Sequence, residues 1–532
     1  MAYSRMRSYL NGGAVAIVSA ALALSLSACG TTSSTSSASA EPGSASASSA
    51  AVSASMESDS VNASSAATAT QASSSASTLG STPVEDDIAT NETASSSTDG
   101  EHAIETSGTA EAYSNVAVEK TGDSDSGDEA DFYGDNAAVF ATDGATLDLN
   151  QMVITSDGLH ANGVFSYGEG TTVNISDSVI KTTGNCSGGL MTTGGGTMNA
   201  QNLRITTSGN SSAAIRSDRG GGTVNVEGGV YTTSGTGSPV IYSTADITVS
   251  DAQLESTASQ GVVVEGKNSV TLNNVKLVAD NNTKNSDKSS FYQAVMIYQS
   301  MSGDAANGTA SFTMNGGSLT NANGDVFFVN NTACEIALSD TEIVNNGEGV
   351  FLRAAAAGWG TEGSNGGQVT LRASNQTIDG DMVVDDISNL NLYLADGSTF
   401  TGAINVDGQA GDVYADLSGG SKWTLTADAY ITSLTCEADS IDLNGHTLYV
   451  DGKAYEAGSA SSGTAIEVVA SESTGGHDGT PPDGKDGHDG TPPDGKGSHG
   501  GTPPDGKGNP DGTPPSGNPP EKPSQSDSSA SS

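Results

Sequence analysis

The feature that most constrains this chain is a repeat of about two dozen residues running through its middle. The segments SGGLMTTGGG, SAAIRSDRGGG, SPVIYSTAD and QGVVVEGKNS align, and a second run follows each: TMNAQNLRITT, TVNVEGGVYTT, ITVSDAQLEST and VTLNNVKLVAD. In this alignment Met191, Arg216, Tyr242 and Glu265 are equivalent, at steps of 25, 26 and 23 residues. The pattern reaches forward to Tyr298 and Arg353 and back to Gly163-Val164-Phe165, giving about twelve units between Ala138 and Tyr455.

Each unit carries two or three short β-branched runs separated by Gly, Asn, Asp, Ser and Thr turns. No 3.6-residue period separates the runs, which excludes βαβ units. A single unit cannot bury its inward side chains, but stacked units can, because each strand pairs in parallel with its copy one turn later. The expected fold is therefore all-β: a right-handed parallel β-helix of about twelve turns, roughly 58 Å long at ~4.8 Å per turn. The spacing does not suit the antiparallel four-stranded blades of a propeller. Val224, Val226 and Val230 are expected to stack on Ile247, Val249 and Leu254, with Asn225, Glu227 and Thr232 facing out. Gly194-Gly195-Gly196 and Gly220-Gly221-Gly222 mark one corner on adjacent turns, where positive φ is expected. Two insertions, 280–293 and 354–367, are expected to emerge as loops, and 403–455 to form the last turns and cap.

The flanks read differently. Residues 1–28 have the form of a lipoprotein signal peptide: basic Arg5 and Arg7, an apolar stretch from Ala14 to Leu26, then Leu26-Ser27-Ala28-Cys29. This resembles the lipobox of bacterial lipoproteins. The resemblance implies cleavage before Cys29, lipidation of its thiol and a membrane anchor on the extracellular face. Residues 29–115 are Ser/Ala/Thr-rich and read as a disordered stalk, since they cannot bury enough apolar surface to offset ordering. The folded rod is expected over 116–470. Residues 471–532 repeat GTPP every 11 residues and read as a solvated Pro/Gly tail.

Acidic residues outnumber basic ones 63 to 19, so nucleic acid is excluded as a partner. Cys186, Cys334 and Cys436 make no metal-ligand spacing and are expected as small buried stack residues, with one disulfide open. His160 and His446 stand alone and are expected in turns or at the surface.

The segments DEADFYGDNAAVF, SSAAIRSDRGGGTVNV, TSGTGSPVIYSTADITV, GKNSVTL and YQSMSGDA resemble the adhesin-like, right-handed β-helix repeat proteins of bacterial surfaces. More distantly, the chain is similar to the pectin-lyase-like superfold, which hosts lyases, hydrolases and adhesins. The resemblance implies fold and surface display. Chemistry has to come from a site.

The candidate site is the outward ladder after the first strand of each turn. Arg216, Asp218 and Arg219 lie on one turn, Tyr242 and Asp246 on the next, then Glu265 and Lys267, Tyr298 and Gln299, and Arg353. Tyrosines offer flat apolar faces to sugars, and the charges can fix hydroxyls or uronates. Arg216, Asp218 and Glu265 are the candidate catalytic groups for a lyase or hydrolase, with Asp218 paired to Asp246 or Glu265. The alternative is a cross-turn charge ladder with no ligand. Asp123, Asp125 and Asp128 are candidate Ca²⁺ ligands, although Gly127 breaks the EF-hand pattern. No other cofactor is expected. The sequence thus points first to a lipid-anchored rod that binds glycans or surface proteins, second to a polysaccharide-active enzyme, and third to a structural envelope component.

Overall fold

The computed structural model describes residues 82–468, apart from 125, 285, 290 and 409 and the side chain of Asp128. The signal segment with Cys29, residues 29–81 of the expected stalk and the Pro/Gly tail lie outside the described residues, as does Asp125.

The chain folds as a parallel β-helix. Three parallel sheets of 10, 11 and 13 strands run along the rod, with sheets of four and three strands toward the C-terminal end. One rung shows the rule: Ile215–Ser217 joins the 11-stranded sheet, Gly222–Glu227 the 13-stranded sheet and Val230–Thr233 the 10-stranded sheet. Each strand pairs in parallel with its copy one rung on. Among the described residues the one antiparallel strand pair is Leu448–Val450 with Lys453–Ala454, a hairpin that closes the C-terminal end. The core is a single column of Val, Ile, Leu and Ala from Ile104 to Leu448. Alternate residues of each strand point into it, which is the period the sequence shows.

Counted from Ala138, the 13-stranded sheet contains twelve strands, and the expected number of turns is met. The rod starts earlier than residue 116, however. Strands Glu92–Ser96, Ile104–Ser107 and Ala110–Ser114 lie within the expected stalk and pair with Val116–Lys120, Val139–Thr142 and Thr146–Asn150. Their Ser, Thr and Ala content hides them in the sequence. They are held by backbone hydrogen bonds to a sheet already templated above them, with little apolar burial of their own.

The expected register holds at Val224 on Ile247 and Val226 on Val249. It fails at Leu254, which stands on Tyr231 rather than Val230. The corner consumes Gly228 and Gly229, both at positive φ, so the second residue after it points inward. Tyr231 is fully buried in the core, and Val230 shares an outward column with Arg204 and Gln253.

That corner is the most regular in the molecule. The residue after each strand of the 13-stranded sheet is left-handed at Asn115, Gln151, Asp177, Asn202, Gly228, Asp251, Asn274, Gly316, Asp340, Asn375 and Asp396. Asn, Asp and Gly tolerate this region best because a short polar side chain or none relieves the clash with the carbonyl. Neighbouring corner side chains also bond each other, as Asn202 Nδ2 donates to Asp177 Oδ1 at 2.7 Å. At the glycine corner Gly194, Gly195, Gly220, Gly221 and Gly222 have positive φ as expected, while Gly196 does not. A Cβ on Gly222 would sit 2.3 Å from the carbonyl oxygen of Gly196 on the rung below.

Candidate functional site

The expected ladder forms on the outer face of the 11-stranded sheet, with one correction of register. Arg216 stands on Met191 and under Tyr242, as aligned. Tyr242 stands on Val263, so Glu265 lies two residues further along and pairs with Tyr298. Two residues preserve the face, and all four side chains still point outward from the core.

Outward does not mean exposed here. The described residues of four segments cover this face: 121–137 with the short helix Asp128–Tyr133, 280–292, 299–308 and 355–366. The two expected insertions do emerge as loops, between Lys276–Ala279 and Gln293–Tyr298, and between Leu352–Ala354 and Gly367–Ser374. They fold back onto the sheet. Trp359, only 2% exposed, packs edge-on against Tyr298 with ring centroids 5.2 Å apart. Ala213, Tyr242, Val263, Met296, Phe328 and Ala355 complete a second apolar cluster outside the main core. A third, of Ala137, Phe140, Phe165 and Met191, lies where the first of these segments crosses the sheet.

Under this cover the polar candidates bind one another. Arg216 donates to Asp218 at 2.9 Å and to Asp131 of the short helix at 3.2 Å. Arg219 reaches Asp304 at 2.7 Å and lies over the ring of Phe132. Glu265 accepts from the hydroxyls of Tyr242 and Tyr298. Arg353 donates to Asp325 at 2.6 Å and stacks on Phe291. Gln299 donates to the carbonyl of Ala305. Of the ladder, Lys267 is exposed and Arg219 and Arg353 are half-buried, while Arg216, Asp218, Tyr242, Glu265, Tyr298 and Gln299 are buried.

Burial dominates the electrostatics of this cluster. It pushes Asp218 up to about 7 despite the opposing charge of Arg216, with Asp304 and Asp131 adding to the rise. Burial also raises Glu265, against the hydrogen bonds of Ser300, Tyr242 and Tyr298. Both tyrosines rise well above the usual phenol value, first through burial and then through the neighbouring Glu265. Burial works against the charge on Arg216, but Asp131 and Asp218 more than offset it and hold the guanidinium above its ordinary value.

These facts correct the open sugar-binding strip. Its two tyrosines turn their hydroxyls to a buried carboxylate, and the space left beside Arg216, Tyr242 and Gln260 is about 20 Å³, enough for one water. Asp218 and Glu265 are 0% and 1% exposed, buried beneath the covering segments. Asp246 is not their partner at all: it lies exposed on the 13-stranded sheet, accepting from Ser269 at 2.7 Å. Of the candidate calcium ligands, Asp123 accepts from the backbone of Leu159 at 2.7 Å. Among the described residues one group of three potential metal ligands converges, Asp131, His160 and Cys186. The sulfur of Cys186 is already engaged, and Asp131 serves Arg216, so the group is not offered to an ion. His160 sits in a left-handed turn, as expected, but is buried 3.2 Å from Asp131 rather than at the surface. Cys334 and Cys436 are free, and both are buried in inward stack positions as expected.

The open site lies elsewhere and was missed. A trough of about 500 Å³ runs along the outside of the 13-stranded sheet, from Ala112 to Ser250. Its floor is a column in strict register: Ala112, Asp148, Asn174, Asn199, Asn225 and Thr248. Asn174 donates to Asp148 at 2.7 Å, Asn199 to Asn174 at 2.9 Å and Asn225 to Asn199 at 3.0 Å. A parallel column of Ser114, Asn150, Ser176, Gln201, Glu227 and Ser250 forms one side. The signal was in the repeat itself, because Asn174, Asn199 and Asn225 recur at steps of 25 and 26. Polar outward residues in a strand look like ordinary solvated surface unless their column is followed from rung to rung.

No family model matches the chain, and no curated protein matches it, so its place is given by its own geometry: a parallel β-helix with one sealed face and one open, asparagine-lined face.

Proposed function

We propose that the chain is a surface-displayed binding module, and that it holds an extended ligand in the trough of the 13-stranded sheet. The observation that carries this reading is the open cavity of about 500 Å³ lined by amide, hydroxyl or carboxylate side chains on every rung. Such a strip offers repeated hydrogen bonds to a polymer, and its two carboxylates, Asp148 and Glu227, stand on separate rungs rather than as a pair. The lipobox ending at Cys29 supports anchoring of the mature chain to a membrane through acyl chains, with the rod on the outer side. The resemblance to adhesin-like repeat proteins supports the same role.

A polysaccharide-active enzyme would need Arg216, Asp218 and Glu265 to meet a substrate, and their burial argues against this. The test is full-length protein applied to glycan and peptide arrays, beside an Asn199→Lys variant that fills the trough. Binding weakened about tenfold or more by the variant is the expected result, equivalent to a loss of about 1.4 kcal/mol. Undiminished binding by the variant, or polymer cleavage that Arg216→Ala abolishes, would overturn the reading.

A further inference from the structure

We propose that the ligand of the trough is an extended polypeptide strand, running along the rod with its backbone amides paired by the asparagine column. The proposal rests on the trough being the binding face. It is carried by what the protein does with its own chain at the other end of the same sheet.

Residues 461–467 leave the last rung and climb the outside of the 13-stranded sheet. Ser461 bridges antiparallel to Cys436. The backbone N–H of Gly463 then donates to Thr435 Oγ1 at 3.0 Å, and that of Thr464 to Ser433 Oγ at 2.9 Å. Two rungs up, Asn391 holds one residue at both ends: Ile466 N–H donates to Asn391 Oδ1 at 2.9 Å, and Asn391 Nδ2 donates to the Ile466 carbonyl at 2.9 Å. Asn389 adds a bond to the carbonyl of Glu467. An outward asparagine on this sheet therefore pairs with both backbone groups of one residue as a neighbouring strand would, with one donor and one acceptor.

The trough repeats that element, and among the described residues its asparagines bond only from rung to rung. Each carboxamide has two N–H donors and an oxygen with two lone pairs. The rung-to-rung bonds of Asn174 and Asn199 use one donor and one lone pair each. What remains on each is the pair that Asn391 spends on Ile466. From Ala112 to Thr248 the floor takes five rung steps of ~4.8 Å, roughly 24 Å, the reach of about seven extended residues.

Two further features select peptide over sugar. On the strands of the 13-stranded sheet in these rungs no aromatic ring faces outward: Tyr113, at the end of the trough, points inward, packs against the core and gives its hydroxyl to Glu111. Sugar rings would find no flat apolar face. The lining also contains Asp148 and Glu227 and no Lys or Arg, which disfavours uronates and acidic peptides and favours neutral or basic ones.

The test uses full-length protein against a displayed library of random ten-residue peptides, with glucose and N-acetylglucosamine hexamers as parallel probes. The expected result is enrichment of neutral or basic peptides. Their binding falls about tenfold or more when alternate backbone nitrogens are methylated, and again in Asn199→Lys with thermal stability unchanged. Hexamers that bind in an Asn199-dependent way while peptides do not would overturn this inference and leave the trough as the binding face. Peptides that ignore N-methylation would overturn it as well. Failure of both probe classes, or binding indifferent to Asn199→Lys, would remove the trough reading together with it.

Discussion

The outer faces of the 11- and 13-stranded sheets are built by the same rule and end in opposite states. Both present columns of side chains in parallel register. On the 11-stranded sheet the columns include Tyr242, Met296, Tyr298 and Phe328, and four connecting segments fold over them. Along the trough of the 13-stranded sheet the columns are almost all amide, hydroxyl and carboxylate side chains, joined to the next strand by a corner too short to cover anything. The lesson is that loop length, rather than side-chain chemistry, decides which ladder meets solvent. Charged and aromatic residues that look functional in sequence were drawn under the loops, where they hold those loops to the rod.

The covered face is most sensitive at Arg216. Its removal leaves Asp131 and Asp218 buried without their counter-charge, so Arg216→Ala should cost about 3–5 kcal/mol in urea unfolding. A cost below about 1 kcal/mol would show that the covered face is hydrated and loose.

The next test is pH. Asp218 stands near 7 in the folded chain and near the ordinary value of 3.8 when unfolded, and Glu265 is raised in the same sense. A carboxyl with a raised folded pKa gives stability that is fully present below its unfolded value and is lost as pH rises through its folded one. The melting temperature should therefore rise on acidification from about pH 7.5 to about pH 4.5, contrary to the usual acid destabilisation. Asp218→Asn should flatten that slope in calorimetry across the same window.

A smaller effect is expected at Tyr298→Phe. It removes one donor from Glu265 while Tyr242 still serves it, and should cost about 1 kcal/mol. Hydrogen exchange at Gln293–Tyr298 would report the loosening. The smallest effect belongs to the open face: Asn199→Ala should change stability by within about 0.5 kcal/mol and yet weaken ligand binding.

Much of this was legible in the chain. Period, strand alternation and the Gly and Asn corners each follow from local sterics, so Val224 over Ile247 and the twelve strands from Ala138 could be read directly. The register at Tyr231 could not, because a two-residue corner shifts which neighbour faces in, and apolar character alone favoured Val230. Glu265 slipped by two for a similar reason: spacing was counted across a turn of unknown length. The strands from Glu92 were hidden because parallel pairing asks little of side chains once a template exists.

The repeat, the stacking of like on like and the two insertions are written in the chain, because these depend on residues near one another in it and on a period that stacking must respect. Only the tertiary structure decided that the insertions close over Arg216, Glu265 and Tyr298 and leave Asn174, Asn199 and Asn225 open. Whether an outward side chain is a site or a fastening depends on what another segment places above it, and that contact joins residues such as Asp131 and Arg216, 85 positions apart, with no local pattern to announce it.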